Sequence, residues 1–256
     1  MRISGNTILI TGGTSGIGRA LAEAFYAEGN QVIITGRRQH LLDEITAANP
    51  KMKAIALDVE DSATIDSFAQ QLKIDHPDLN VVIHNAGIMR SESVQNGSVA
   101  DAETTVTTNL LAPIRLTAVL LPLLLRQPQS AIITVSSGLA FVPIAMNPTY
   151  CATKAAIHSY TQSLRYQLRN TAVQVIEIIP PYVQTELTGA HQANDPNAMP
   201  LKDFIAETMT ILKTSPDTTE ICVERVKPLR YVEANGGYDA FFQMLNDSRV
   251  AAETTH

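Results

Sequence analysis

Tryptophan is missing from this chain, and cysteine occurs only at Cys151 and Cys222. Two cysteines this far apart match no metal-ligand spacing and cannot build a framework of disulfide bridges. Cys151 reads instead as a small buried thiol. The six histidines include no i,i+4 pair and no HExxH, so no metal site is expected. Lysine and arginine form no basic block and the formal net charge is −6, which argues against nucleic acid as a partner. Long hydrophobic runs are also lacking. The longest, "LTAVLLPLLL" from Leu116 to Leu125, is too short to span a bilayer and contains Pro122, so a buried or interface helix is expected. "TILIT" begins only a few residues from the N-terminus, which leads us to expect no signal peptide, no membrane partner and a cytoplasmic location.

What is present is a chain of 256 residues with 45% apolar side chains, enough for one large domain with a substantial core, expected over residues 1–256. Short Ile/Val-rich runs at Thr7–Thr11, Gln31–Thr35, Lys53–Leu57, Asn80–His84, Ala131–Val135 and Val173–Ile179 alternate with helical patterns. The helical segments include Gly18–Glu28, Ser62–Leu72 and Tyr150–Leu168. Strands that are apolar on both sides belong to parallel sheets covered by helices. The predicted class is therefore α/β: a single-domain, Rossmann-like, doubly wound parallel sheet with helices on both faces. "TGAHQANDPNAMP" (Thr188–Pro200) reads as a loop, followed by a helix near Lys202–Leu212 and a short strand at Glu220–Glu224. Residues 188–216 are expected to form a substrate loop and lid helix.

"TILITGGTSGIGRALAEAF" sets Gly12, Gly16 and Gly18 between a strand and a helix. Glycines there permit a tight turn and let backbone N–H groups approach a pyrophosphate at the helix N-terminus. The second strand ends in Gly36, followed by Arg37 and Arg38 rather than by a carboxylate. Two guanidiniums suit a ribose 2′-phosphate, so NADP(H) is the preferred cofactor, with NAD(H) possible. Asp58 follows the third strand and suits an adenine amino group. Asn85-Ala86-Gly87 follows the fourth, where small residues let backbone pass close to a cofactor.

Tyr150 and Lys154 lie one helical turn apart, on one face. A free tyrosine has a pKa of about 10, and a nearby ammonium stabilises its phenolate. The pair is expected to give and take a proton near neutral pH. Ser136 and Ser137 leave the fifth strand, and a hydroxyl from either could bind a substrate oxygen. Asn109, polar within an apolar helix, is suited to hold a water or a backbone group.

In this order, TGGTSGIG (Thr11–Gly18), Asp58-Val59, Asn85-Ala86-Gly87, Asn109, Ser137 and Tyr150-x-x-x-Lys154 resemble the short-chain dehydrogenase/reductase family. The likeness runs from Thr7 to roughly Leu187. It implies that Tyr150 is the proton donor or acceptor and that Lys154 holds the nicotinamide ribose and lowers the tyrosine pKa. It favours Ser137 over Ser136, thirteen positions before the tyrosine, as the group that polarises the carbonyl, and makes Asn109 the anchor of a water. Gly12, Thr14, Ser15, Gly16, Ile17, Gly18, Val59, Val183 and Thr185 become cofactor contacts by the same resemblance. His84 stands where the family often has Asn. Pro181 stands where glycine is usual, and proline excludes a backbone conformation that needs glycine. The Pro-Pro pair and "MPLKDF" resemble a bacterial subgroup of D-alanylation-operon oxidoreductases.

The expected activity is NADPH-dependent interconversion of a small, uncharged ketone or aldehyde and its alcohol. The alternatives are a nucleotide-sensing binding protein, or an epimerase or dehydratase of the same family. The residues after Ser137 (including Phe141 and Met146), Met89, Tyr182 and the loop Thr188–Pro200 are expected around the substrate. A homodimer or homotetramer, assembled through the apolar helix around Leu116–Leu125, is implied.

Overall fold

A computed structural model describes residues 1–96 and 98–253, so Gly97 and residues 254–256 of the expected domain lie outside the described residues. Among the described residues, seven strands form one sheet: β1 (Thr7–Thr11), β2 (Gln31–Gly36), β3 (Lys53–Ala56), β4 (Val81–His84), β5 (Ser130–Val135), β6 (Val173–Ile179) and β7 (Glu220–Cys222). The order is β3-β2-β1-β4-β5-β6-β7, with every pairing parallel. The expected strands all form, with ends displaced by one or two residues.

The helices are α1 (Gly16–Ala27), α2 (Gln39–Ala48), α3 (Ser62–Asp75), α4 (Ala100–Val106), α5 (Ala112–Leu124), α6 (Pro148–Leu168), α7 (Ala190–Ala193), α8 (Leu201–Thr214), α9 (Lys227–Tyr231) and α10 (Tyr238–Glu253). Side chains alternate along each strand and feed two cores, one on each face. Ile8, Ile10, Val32 and Ile34 pack with α1, α2 and α8, while Leu9, Ile33, Val82 and Ile132 pack with α3, α5 and α6. The α/β doubly wound architecture is the one expected.

The chain winds outward from β1 to β3, then returns to place β4 on the other side of β1. The reversal opens a crevice beyond the carboxyl ends of β1 and β4, the switch point at which such sheets bind ligands.

Two expectations need correction. The run Leu116–Leu125 is the end of a longer helical stretch: α4 passes through a π turn at Thr107–Leu111 directly into α5. From Ala100 to Leu124 that stretch is long and apolar enough, by length and composition, to cross a membrane. Here Leu116, Leu120, Leu123 and Leu124 are buried against the sheet and α3. The side left for the expected contact between copies carries Ala118, Pro122 and Leu125, which are exposed. The segment Thr188–Pro200 is also more ordered than a loop. It contains α7, and a bridge between Val183 and Met199 closes it on itself.

Candidate active site

The glycine loop is shaped by what its neighbours exclude. Gly12 takes φ +66°, a backbone conformation in which a side chain is strained, and a Cβ there would sit 2.8 Å from the Ala86 Cα. At Gly18 a Cβ would fall 2.3 Å from both Asn85 Nδ2 and the Gly12 carbonyl oxygen. The Asn85 amide fills that space, donating to the carbonyls of Thr11 (3.0 Å) and Gly12 (3.1 Å). The Thr11 hydroxyl accepts from the N–H groups of Asn85 and Ala86. Asn85 and Ala86 thus clamp the loop. α1 begins at Ser15 with no side-chain cap and no acid in its first turn, so its N-terminal amides and dipole face the cleft uncompensated.

The two arginines separate. Arg38 donates to Thr14 Oγ1 (3.2 Å) and Ser15 Oγ (3.0 Å), which fixes its guanidinium beside the glycine loop. Arg37 points elsewhere and pairs with Glu60 at 3.2 Å. Asp58 is exposed and accepts from the Glu60 N–H, whereas Val59 is buried in the core and Ile17 packs partly against the other core.

The head of α6 is fixed from outside the helix. Pro148 opens it, and the Glu92 carboxylate accepts from the Thr149 N–H and from its hydroxyl at 2.7 Å. The Asn147 amide donates to the Arg90 carbonyl at 2.7 Å. Tyr150 and Lys154 follow in the first two turns, both buried. Lys154 Nζ donates to the Val135 carbonyl (2.8 Å) and lies 5.5 Å from the centre of the Tyr150 ring. Gly87 lies against the same group, with space for a Cβ only 3.7 Å from Lys154 Nζ and 3.3 Å from Asn109 Oδ1.

Ser137 supplies the hydrogen bond at the phenol, and its Oγ also accepts from the Leu139 N–H. Ser136 turns back toward the Ile178 carbonyl. Asn109 sits in the π turn, an arrangement common at functional sites. Its side chain exchanges both hydrogen bonds with the Ile88 backbone, each 2.9 Å, and reaches Thr153 at 3.2 Å. The backbone group considered for it is thus that of Ile88.

The electrostatics depart from expectation at the phenol. Burial pushes Tyr150 above the usual tyrosine range, with the Ser137 hydrogen bond opposing. The Lys154 ammonium, expected to lower the phenol, is directed at the Val135 carbonyl. Burial in turn lowers Lys154 to about 8, with the Glu177 carboxylate opposing. His84 turns away from the cleft to Thr117 (2.9 Å) and is lowered to about 4 by burial, so it is neutral. The Cys151 thiol, raised to about 11 by burial, accepts from the Ile144 N–H.

On the substrate side Tyr150 packs with Ile144, Cys151, Met89, Leu139 and Leu245. Met89 is expected there, as is Leu139 among the residues after Ser137; Leu245 is not. Phe141 is displaced from its expected place in the pocket and meets His158 edge-on at 4.7 Å, with the Arg230 guanidinium over its ring. At Pro181 the chain runs on without glycine, and the preceding carbonyl, of Pro180, accepts from the Gly138 N–H. Val183 is buried. The Thr185 methyl covers Gly16, 3.4 Å from where a Cβ would lie. Gln192 was missed in the sequence. Its buried amide donates to the Val183 carbonyl (2.8 Å) and Thr185 Oγ1 (3.0 Å), and accepts from the Thr188 N–H and hydroxyl.

These features fit a dinucleotide. A side-chain-free cradle meets bare helix amides, a fixed guanidinium flanks it, and a buried lysine and phenol stand at the far end. The chain belongs to the short chain dehydrogenase family, whose description matches residues 6–196. Its class is that of the NAD(P)-dependent oxidoreductases. It is 37% identical, over 96% of its length and 98% of the relative's, to the uncharacterized oxidoreductase DltE of Bacillus subtilis (strain 168). A serine dehydrogenase solved with NADP+ is 29% identical, with TM-score 0.76, over 84% of this chain and 92% of that one. A short chain dehydrogenase from Burkholderia cenocepacia J2315, in complex with NADP, shares the fold with TM-score 0.80, at 22% identity over 94% and 99% of the two chains.

Proposed function

We propose that this protein interconverts a small, uncharged ketone or aldehyde and its alcohol, using NADP(H) in preference to NAD(H). The observation that carries the reading is the convergence of Ser137, Tyr150 and Lys154 at the cleft, with Arg38 fixed at the glycine loop. The bound dinucleotide supplies or accepts the hydride at the carbonyl carbon. In reduction the Tyr150 hydroxyl delivers its proton to the carbonyl oxygen, and the Ser137 hydroxyl donates a hydrogen bond where negative charge develops. The phenolate left behind faces the Lys154 ammonium, and in oxidation the proton returns to it.

A buried phenol with a raised pKa holds its proton until the oxygen becomes basic enough to take it, which suits the reductive direction. Asn109 keeps the Ile88 turn beside Lys154. Arg38 and the α1 amides would hold the phosphates, with Thr185 and Val183 closing over them. The 188–216 segment, latched by Gln192, serves as the lid. The apolar surroundings of Tyr150 favour an uncharged substrate. NADP bound to the Burkholderia cenocepacia protein and to the serine dehydrogenase supports the cofactor preference.

The test is NADPH consumption with a panel of ketones and aldehydes, for the wild type and Tyr150→Phe. General acid catalysis contributes about 10²–10⁴-fold, so kcat/KM is expected to fall by that factor. Equal turnover in both would remove Tyr150 from its role, and cofactor binding with no turnover on any carbonyl would favour a nucleotide sensor.

A further inference from the structure

β6 reads "VQVIEII", and its Glu177 places a carboxylate at the centre of an apolar strand, fully buried. An isolated charge in that position is costly, so its partners need to be accounted for. In the sheet register Glu177 lies beside Thr134 of β5, whose hydroxyl meets Thr161 of α6 at 2.8 Å. That face of the sheet therefore looks onto α6. There His158 Nδ1 lies 2.8 Å from Glu177 Oε2, while Oε1 has no hydrogen-bond partner among the described residues.

His158 is four residues beyond Lys154, which is four beyond Tyr150. The three share one stripe of the helix. The stripe that carries the phenol and the ammonium thus continues one turn further to grip a carboxylate under the sheet. Lys154 feels this carboxylate, the one charge that opposes its burial. The charged or titratable groups around it are Lys154, His158 and Arg165 on α6, Glu220 and Cys222 on β7, and Arg230 on α9. Donor atoms of His158, Glu177 and Glu220 lie within 4.8 Å of one another, a metal-like spacing. Arg230 takes both Glu220 oxygens, at 2.9 and 3.0 Å, so a guanidinium already supplies the positive charge there. Arg165 is spent on the carbonyls of Val175 and Thr219. Among the described residues that leaves one Glu177 oxygen without a hydrogen-bond partner, on the face of the sheet that α6 covers.

We propose that the Glu177–His158 pair is a positioning unit for Lys154: His158, one helical turn beyond the lysine, holds the carboxylate under α6, where it stands as the counter-charge to the lysine ammonium beside Tyr150. The proposal rests on the reading above, in which Lys154 works as a cation.

Its test follows Lys154 directly, without turnover. The side-chain amine is titrated by NMR in protein labelled at the lysine ε-carbon, with the signal assigned by Lys154→Arg. The wild-type midpoint is expected near pH 8. Glu177→Gln, close in shape but uncharged, is expected to lower it by about one pH unit or more. His158→Gln, at a partly exposed position, leaves the carboxylate but frees it, and a smaller lowering is expected. An unchanged midpoint in either folded variant overturns the proposal. Where a reducible carbonyl has been found, the alkaline limb of the kcat/KM profile moves to lower pH in Glu177→Gln, because Lys154 loses its proton earlier. A protein that turns over no carbonyl yet shows the NMR shift would refute the carbonyl–alcohol reading and leave this one standing.

Discussion

At the scale of single residues, Arg37 and Arg38 are neighbours in the sequence with different partners in the fold. Arg37 is already neutralised by Glu60, while Arg38 lies across Thr14 and Ser15 with its charge directed at the glycine loop. A 2′-phosphate arriving beside β2 would therefore meet Arg38 first and would have to compete with Glu60 for Arg37. A hydrogen bond to a charged group contributes about 1.5–3 kcal/mol, roughly ten- to a hundredfold in affinity. Arg38→Ala is expected to weaken NADPH by that factor and NADH little, with Arg37→Ala the milder change. Fluorescence titration with both cofactors measures this, and equal losses for NADPH and NADH in both variants would end the 2′-phosphate assignment. No pattern in "GRRQ" distinguishes the two side chains, because Glu60 and Thr14 become neighbours only once β1, β2 and β3 pair.

At the scale of elements, the strands were legible because most are short Ile/Val-rich runs between turn residues, and the parallel pairing followed from their alternation with helices. Tyr150 and Lys154 share a helical face by their spacing, whereas the strand end leaves Ser136 and Ser137 open and the family resemblance favours Ser137. What spacing does not carry is long-range pairing: Asn85 filling the room left by Gly18, Glu92 fixing the head of α6, Leu245 of α10 reaching Tyr150. The same holds for His158, whose partner Glu177 lies nineteen residues away on another element. Gln192 is the clearest instance, in a stretch whose polar composition reads as open loop. Its amide joins α7 to Val183, Thr185 and Thr188, and replacing it strands buried partners at about 1–3 kcal/mol. For Gln192→Ala, limited proteolysis is expected to cut between Thr185 and Pro200 several times faster than in the wild type, with a higher KM for cofactor and a smaller change in kcat. Unchanged cleavage would mean that the bridge from Val183 to Met199 holds the segment without it.

At the scale of the whole molecule, the cleft draws on groups far apart in the chain: the loop after β1, Arg38 after β2, Asn85 after β4, Ser137 after β5, the first turns of α6 and the segment around Thr185. None of these is assembled in an unfolded chain, so a dinucleotide that spans them binds the folded state alone and shifts the unfolding equilibrium by mass action. At a concentration a hundred times Kd the stabilisation is about 2.7 kcal/mol. For a chain of this size each kcal/mol moves Tm by about 2–4 °C, so saturating NADPH is expected to raise it by roughly 5–10 °C. NADH at the same concentration should give a smaller rise, by the affinity that Arg38 contributes. Differential scanning calorimetry across a cofactor series tests both statements and needs no substrate. A Tm indifferent to both cofactors would mean that the crevice at the β1–β4 reversal does not take a dinucleotide. A rise that is the same for NADPH and NADH would keep the cleft as a dinucleotide site and remove the preference between the two cofactors.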